Sequence, residues 1–362
     1  MDRNGFNRNL RCWYRRHARD LPWRRTSDPY KVWVSEIMLQ QTTVSAVIPY
    51  YERWIEKFPD VGSVARASPA EILKAWQGLG YYQRARNVHK AAQIICECYG
   101  GTLPADKENL RRLPGFGAYT TGAVLSIAFQ KAEPIIDANV RRVFMRLLLL
   151  DGKADGRHDG VISGELKRLL PARAPGDFNQ ALMELGATVC RSQLPLCSQC
   201  PVRNACQAYH KGVQEIIPEP KTKKLKDIYA AIAVIRHKGR FFIQRRPLSG
   251  LLAGLWEFPG GQIQEGETSR RALERELDEE LGVAIQSAVP LMNVRHFYTQ
   301  FRVHLSVWLC SARPIPKSDE THRWVRSREF SDYAMPSGSV KIVERLREGR
   351  ACLTGGAGCV SE

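Results

Sequence analysis

The stretch LPGFGAYTTGAV, residues 113–124, decides how the N-terminal part of this chain is read. Gly115 and Gly117 bracket Phe116, Tyr119 follows, and a run of small residues comes after it. A Gly-x-Gly turn lets backbone amides approach an anion with no Cβ in the way. A helix opening near Ala118 would aim its first amides at the same point, with Leu113 and Val124 anchoring the flanks. Such a contact suits a phosphate. It positions a protein on a nucleic acid without choosing a base. Most Gly-x-Gly turns are ordinary turns, so the surroundings must decide.

Upstream, SDPYKVWVSEIMLQQTTVSAVIPYYERWIEKF (residues 27–58) carries Val34, Ile37, Met38, Val44, Val47 and Ile48 at helical spacing. Asp28 followed by Pro29 predicts a helix start. In SPAEILKAW, Ser68 caps, Pro69 takes the first helical position and Glu71 completes a capping box. No alternating strand pattern precedes residue 210, so residues 1–210 read as an α domain. Beyond it, EIIPEPKTKKLKD is rich in proline and lysine, and residues 211–227 read as an exposed linker. IYAAIAVIRH, RFFIQRRP and FRVHLSVWLC then read as strands, with SRRALERELDEEL as one charged helix among them. Residues 228–348 are expected to form an α/β domain and residues 349–362 a disordered tail.

Four of the ten cysteines crowd into CRSQLPLCSQCPVRNAC, separated by six, two and five residues. Cys190, Cys197, Cys200 and Cys206 can close on one centre. Zinc sites more often use two C-x2-C pairs, and only Cys197 and Cys200 form one. A 4Fe–4S cubane takes one thiolate per iron and suits a compact loop. Zinc stays open on spacing alone, and two disulfides or free thiols are the plain alternative. Arg191 and Arg203 beside the loop would face phosphate.

The formal net charge of +17 draws the chain toward polyanions, whether nucleic acid or an anionic membrane surface. No stretch approaches the roughly 18 apolar residues that span a bilayer, and the basic N-terminus lacks the apolar core of a secretory signal. The expectation is a cytoplasmic protein, nucleoid-associated if bacterial, with its thiols reduced and no membrane partner.

Read together, LPGFGAYTTGAV resembles a helix–hairpin–helix motif. PIIDANVRRVFMRL then supplies Asp137 where the base-excision glycosylases of that superfamily carry an aspartate, and the cysteine loop has that superfamily's iron–sulfur spacing. More narrowly, LPWR, SEIMLQQT, GLGYYQRARN and GLLAGLWEFPGG resemble signatures of the MutY-type adenine DNA glycosylases. The resemblance implies two helical lobes with an iron–sulfur loop, a Nudix-like α/β second domain and a 4Fe–4S cluster. It implies a monomer that removes adenine opposite 8-oxoguanine or guanine in double-stranded DNA.

The chemistry needs a proton donor, since adenine leaves poorly as an anion. Read alone, Glu36 is a solvated helix residue; the resemblance assigns it as the acid. Asp137 would stabilise the oxocarbenium-like sugar, by the two-carboxylate logic of glycoside hydrolysis. Its plain alternative is a helix cap. Asn139 would orient the acid or the water. The family usually has glycine where Ala138 stands. Lyase-competent relatives carry lysine at the place of Tyr119, and a phenol cannot form their Schiff base. Tyr119 therefore points to a monofunctional enzyme, its plain alternative being a packing residue. By resemblance, Gly115 and Gly117 contact DNA, Gln41 and Tyr81 fill the gap left by the extruded base, and Trp23 and Arg24 line the adenine pocket. Where the family often shows Phe-Ser-His as its 8-oxoguanine reader, Phe297, Tyr298 and Thr299 follow His296.

GGQIQEGETSRRALERELDEELGV fits the complete Nudix pattern. Glu276, Glu279 and Glu280 share one helix face and would suit Mg²⁺ on a diphosphate; a salt-bridged solvated helix is the plain alternative. The other functions weighed are a Nudix pyrophosphohydrolase of oxidised nucleoside triphosphates on a DNA-binding module, alone or alongside the glycosylase, a lyase for oxidised pyrimidines, and a non-catalytic DNA binder.

Overall fold

The computed structural model describes residues 2–220, 225–297 and 301–353, the side chains of 349–353 excepted. Contacts divide the chain into two compact units. One comprises Met1–Ala67 and Arg86–Thr222, the other Ser68–Ala85 and Lys223–Glu362. The helices in chain order are α1 (Arg3–His17), α2 (Pro29–Leu39), α3 (Val44–Lys57), α4 (Val61–Arg66), α5 (Pro69–Ala75), α6 (Gln83–Tyr99), α7 (Lys107–Arg112), α8 (Ala118–Ala123), α9 (Ala138–Leu148), α10 (Asp159–Leu169), α11 (Pro175–Thr188) and α12 (Gln207–His210).

The first unit is helical. Asp28 caps α2 through its side chain, with Pro29 at the first position. The apolar run through Ile48 is not one helix. It breaks after Leu39, Gln41 takes a left-handed φ of 59°, and α3 starts at Val44. Spacing of three and four residues survives a short turn, which is why periodicity alone joined the two. α7, the turn through Gly115 and α8 form the helix–hairpin–helix. Leu113 and Val124 are buried on its flanks, and Phe116 tilts against Trp33 with centroids 5.3 Å apart. Gly115 has φ +83°, a region other residues rarely adopt. After α8 the backbone widens into a π-helical turn, Val124–Ala128.

One apolar core joins α1, α9, α10 and α11 through Leu10, Phe144, Leu166, Phe178 and Leu182. It continues past the expected domain end. Ile217 is buried in it and its carbonyl accepts from Arg146 at 2.7 Å. Within the segment read as an exposed linker, Ile217 is therefore packed, while Lys211, Gly212, Glu215, Ile216, Glu219 and Pro220 are exposed. Proline and lysine mark a break in regular structure, but they do not say whether the irregular backbone is covered. Two glycines allow close helix approach. A Cβ on Gly176 would lie 2.7 Å from the Ser126 carbonyl oxygen, and one on Gly186 would lie 2.6 Å from Asn139 Cβ.

The second unit takes α5, although the sequence places that helix in the N-terminal domain. The Ser68–Glu71 capping box is present. Lys74 Nζ donates to the Tyr333 carbonyl at 3.1 Å and the Met335 amide to Gln77 Oε1 at 3.4 Å. Capping chemistry starts a helix but does not select the core it joins. The strands are β1 (Lys226–His237), β2 (Arg240–Arg245), β3 (Trp256–Glu257), β4 (Gly260–Gln262), β5 (Ala284–Phe297), β6 (Phe301–Arg313) and β7 (His322–Val325), with helices α13 (Ser269–Leu281) and α14 (Ser337–Leu353). The order is β3-β2-β1-β6-β5, with β4 paired to β1 and β7 to β2; β1 and β6 run parallel. Alternation along β1 sends Ala231, Ala233 and Ile235 toward α13 and Val234 toward α14. α14 runs five residues into the segment expected to be a disordered tail, and 354–362 lie outside the described residues.

The two kinds of glycine predict opposite outcomes. Gly176→Ala should lose about 1–3 kcal/mol in urea unfolding because its Cβ meets backbone. Gly164→Ala, in open space on α10, should gain roughly 0.5–1 kcal/mol. Equal midpoints for the two variants would contradict this packing.

Candidate active site

α2 is buried all round: Tyr30, Val32, Trp33, Val34, Ser35, Glu36, Ile37 and Met38 are all covered. Glu36 therefore has no solvent face and is 4% exposed, which removes the solvated-helix alternative. The Tyr119 hydroxyl, from α8, donates to Glu36 Oε2 and reaches Met183 Sδ at 3.7 Å. Burial raises the Glu36 carboxyl from its ordinary 4.5 to about 7; the Tyr119 hydrogen bond opposes, the Asp137 charge adds, and the Arg24 charge opposes. Burial, with the Glu36 and Asp137 charges, pushes Tyr119 well above its ordinary value. The phenol is thus a fixed, neutral donor.

Asp137 does cap α9. Its Oδ1 accepts from the Val140 amide at 2.6 Å and its Oδ2 from Asn139 Nδ2 at 3.0 Å. Burial raises its carboxyl, against hydrogen bonds from Val140 and Asn139 and the Arg142 charge. The cap reading and the functional reading coincide, because capping fixes where the carboxylate points. Arg142 then holds Asn139. It donates to Asn139 Oδ1 at 2.9 Å, to the Gly186 carbonyl at 2.8 Å and to the Cys190 carbonyl at 2.9 Å. The structure thus joins Tyr119 to Glu36 and Asn139 to Asp137 by hydrogen bonds, and the Asp137 charge is felt at Glu36.

Trp23 is buried edge-on to Tyr51, and Arg24 pairs with Glu184 at 2.7 Å. Gln41 is exposed in its left-handed turn. In the second unit Tyr81 is 38% exposed with φ +48°. Left-handed backbone at two non-glycine residues persists only where surroundings enforce it. A Cβ on Gly117 would meet nothing within 4 Å, so backbone there is open to approach. Phe297 ends β5 and is 58% exposed; Tyr298 and Thr299 lie outside the described residues. A cleft of about 720 Å³ opens elsewhere in the first unit, among Phe6, Leu147, Arg168, Val202 and His210.

The four loop cysteines are half-buried and not disulfide-bonded. Burial, then the Cys190 charge, raises Cys197; burial pushes Cys200 to about 12. Fully buried Arg146 approaches Cys190 Sγ at 3.3 Å and donates to the Arg191 carbonyl at 2.7 Å. Among the described residues no three His, Cys, Asp or Glu side chains converge tightly enough to hold a single metal ion. The same holds at the Nudix box. There Glu276 accepts from Arg275 at 2.7 Å, Glu279 from Arg275 at 3.3 Å and Glu280 from Gln244 at 2.9 Å.

Proteins named adenine DNA glycosylase resemble the chain along nearly its whole length. The one from Mus musculus is 34% identical, covering 96% of this chain and 79% of its own. The one from Buchnera aphidicola (subspecies Acyrthosiphon pisum) is 31% identical, covering 95% and 98%. The chain belongs to the adenine DNA glycosylase family. Residues 34–169, which include Glu36, Tyr119 and Asp137, match the family described as HhH-GPD superfamily base excision DNA repair protein. Residues 230–345 match the NUDIX domain. A solved thermostable thymine-DNA glycosylase is 30% identical over 58% of this chain and 97% of its own, with a TM-score of 0.52. An endonuclease III–DNA complex shares the fold at a TM-score of 0.50 and 22% identity, covering 59% of this chain and 99% of its own.

Sequence reasoning missed Arg142, Met183 and Glu184. Glu184 had a signal in hindsight, a lone acid inside the apolar run ALMELGATV. The other two had none, because their role comes from contacts between α9, α11 and α8.

The raised Glu36 value has a stability consequence. The fold holds a proton that the unfolded chain releases between pH 4.5 and about 7, so Glu36 costs stability as pH rises through that window. The full cost, on the order of 3 kcal/mol, applies above it. Glu36→Gln should therefore melt higher than the parent at pH 8, with the gap closing toward pH 4.5. A gap of the opposite sign, or one indifferent to pH, would count against the buried carboxyl.

Proposed function

We propose that the enzyme hydrolyses the N-glycosidic bond of adenine opposite 8-oxoguanine or guanine in duplex DNA and leaves an abasic site. The observation that carries this is the buried Glu36, hydrogen-bonded to Tyr119, with its carboxyl raised by burial and by the Asp137 charge. An acid near neutrality serves proton transfer best, because it is both occupied and willing to donate at working pH. Glu36 delivers its proton to a purine ring nitrogen, and adenine departs neutral. Asp137, held by Val140 and Asn139, faces the cation that develops on the sugar. Water completes the hydrolysis. Tyr119 stays protonated and offers no amine, so no Schiff base joins enzyme to sugar and the strand is left uncut.

The hairpin amides near Gly115 and Gly117 bind backbone phosphate. Gln41 and Tyr81 occupy the space of the extruded base, and Trp23 and Arg24 border the base pocket. The reader of 8-oxoguanine is assigned to Phe297, Tyr298 and Thr299. The enzyme acts as a monomer on DNA in the cytoplasm or nucleoid; no helix among the described residues is long and apolar enough to cross a membrane.

The cysteine loop fits a 4Fe–4S cluster held by Cys190, Cys197, Cys200 and Cys206. Each thiolate of a cubane binds its own corner iron, so the four need not converge on one point as a zinc cage with bonds of about 2.3 Å requires. Bound there, a cluster would cross-link the loop that Arg146 and Arg142 fasten to α9. The Nudix carboxylates Glu276, Glu279 and Glu280 suit Mg²⁺ by type; they accept hydrogen bonds from Arg275 and Gln244, which leave further lone pairs on each carboxylate for the ion.

The decisive experiment uses a labelled duplex with adenine opposite 8-oxoguanine, guanine or cytosine, treated with hot alkali after incubation. Alkali should cut the adenine strand, preferentially opposite the first two. Glu36→Gln and Asp137→Asn should each lower the rate at least ~100-fold, and borohydride should trap no adduct. Undiminished adenine release without Glu36, or a stable trapped adduct, would defeat the assignment. Separately, Cys200→Ser should yield protein with less bound iron and weaker visible charge-transfer absorption; full iron content in that variant would remove the cluster from this loop.

A further inference from the structure

α5 ends at Ala75 and α6 begins at Gln83, and the turn between them carries Tyr81. The whole turn, with Trp76 before it and Arg84 after it, belongs to the second unit. Three of its residues take left-handed backbone: Gly78 at φ +103°, Gly80 at φ +74° and Tyr81 at φ +48°. Glycine adopts that region without steric cost, whereas Tyr81 must be held there by its surroundings. Arg84, buried in the first turn of α6, supplies the hold. Its amide donates to the Tyr81 carbonyl at 2.8 Å. Its Nη2 donates to the carbonyls of Leu79 and Gly80, each at 3.2 Å. Its guanidinium lies over the Tyr81 ring, 5.4 Å from the centroid, and over the Trp76 ring at 5.3 Å, both within reach of a cation–π attraction. Two further contacts brace the turn. Trp76, fully buried, donates its indole N–H to the Gly80 carbonyl at 3.1 Å, and the Tyr82 hydroxyl accepts from the Gly78 amide at 3.2 Å.

We propose that Arg84 is a positioning residue for base extrusion: it fixes the turn that carries Tyr81 and holds the Tyr81 ring, so that the wedge is ordered before DNA arrives. A cation meant only for phosphate keeps its head in water at the end of a long stem. This one is buried, and its contacts are two carbonyls and two rings of its own unit. A guanidinium suits the task because its face can lie on a ring while its edge donates in plane; an ammonium has no plane. Extruding a base is already unfavourable, since it breaks pairing and stacking. An exposed tyrosine on a loose loop would add the cost of ordering itself on insertion, and ordering it beforehand removes that cost from the extrusion step. The inference rests on Tyr81 being the residue that fills the gap.

The test uses the full-length chain at saturating concentration and two readouts. One is single-turnover adenine release from an adenine–8-oxoguanine duplex. The other is the brightening of 2-aminopurine, set in place of that adenine, as it leaves the stack; it is read on a Glu36→Gln background so that no base is cut. Arg84→Met and Tyr81→Ala should each slow release about tenfold and reduce the brightening in step. Arg84→Met added to Tyr81→Ala should slow release no further. A general loss of structure would slow the enzyme with or without Tyr81, so effects that multiply in the double variant overturn the proposal. Slow release with undiminished brightening places the defect in the chemistry and overturns it as well. Arg84→Lys keeps the charge and loses the plane, and should slow release roughly threefold. A lysine variant as fast as the parent leaves charge as the whole contribution and overturns the proposal; this variant carries the test if Arg84→Met does not fold. Tyr81→Ala at the parent rate sinks the wedge assignment itself, whereas a slow Tyr81→Ala beside an unimpaired Arg84→Met sinks only the positioning role.

Discussion

A carboxyl group on a helix with no solvent-facing side is the constraint around which the first unit is built. Nearly every side chain of α2 is buried, and a helix of that kind normally carries no ionisable residue. Glu36 is tolerated because it can keep its proton and because Tyr119 supplies a hydrogen bond. That contact also ties the hairpin to the acid. α8 starts at the Gly115–Gly117 turn and places Tyr119 in its first turn, so the geometry of the loop and the placement of the phenol are set together.

The second carboxylate is held by different means. Asp137 is a helix cap, and α9 is secured along its length. Arg142 joins Asn139 to the end of α11 and to Cys190, while Arg146 binds the backbone of the cysteine loop and of Ile217. α11 is the common partner. It approaches α9 through Gly186 and the π-helical turn through Gly176, and presents Met183 to Tyr119 and Glu184 to Arg24. The side chains that frame the chemistry therefore come from helices distant in sequence, and close packing holds them in one place.

In the second unit the acidic helix face carries its own arginine. The Nudix helix spans Ser269–Leu281, and its spacing puts Glu276, Glu279 and Glu280 on one face. Arg275 sits within that set and is paired with Glu267, Glu276 and Glu279. Spacing establishes the helix and its acidic face. It does not establish whether those acids are turned to a ligand or to a neighbouring arginine.

Much was legible without coordinates where the determinant is local. Asp28–Pro29, Ser68–Glu71, the hairpin glycines and the charged helix after Gly260 all announced themselves, because caps, turns and amphipathic spacing act over a few residues. β5 did not. It is an exposed edge strand with a single buried residue, Val294, a proline and two register shifts, so it lacks the alternation that marks a half-buried strand. Nor did the destination of α5 or the packing of Ile217, since both depend on which distant surface is nearby. The sequence by itself determined the helical and α/β halves, the hairpin and the four-cysteine loop, and by resemblance it pointed to Glu36 and Asp137. Only the tertiary structure decided that Glu36 is buried, that the Asp137 charge reaches it and that Glu184 holds Arg24. A side chain's protonation and reach depend on desolvation and on charges brought from other helices, and no local pattern encodes these.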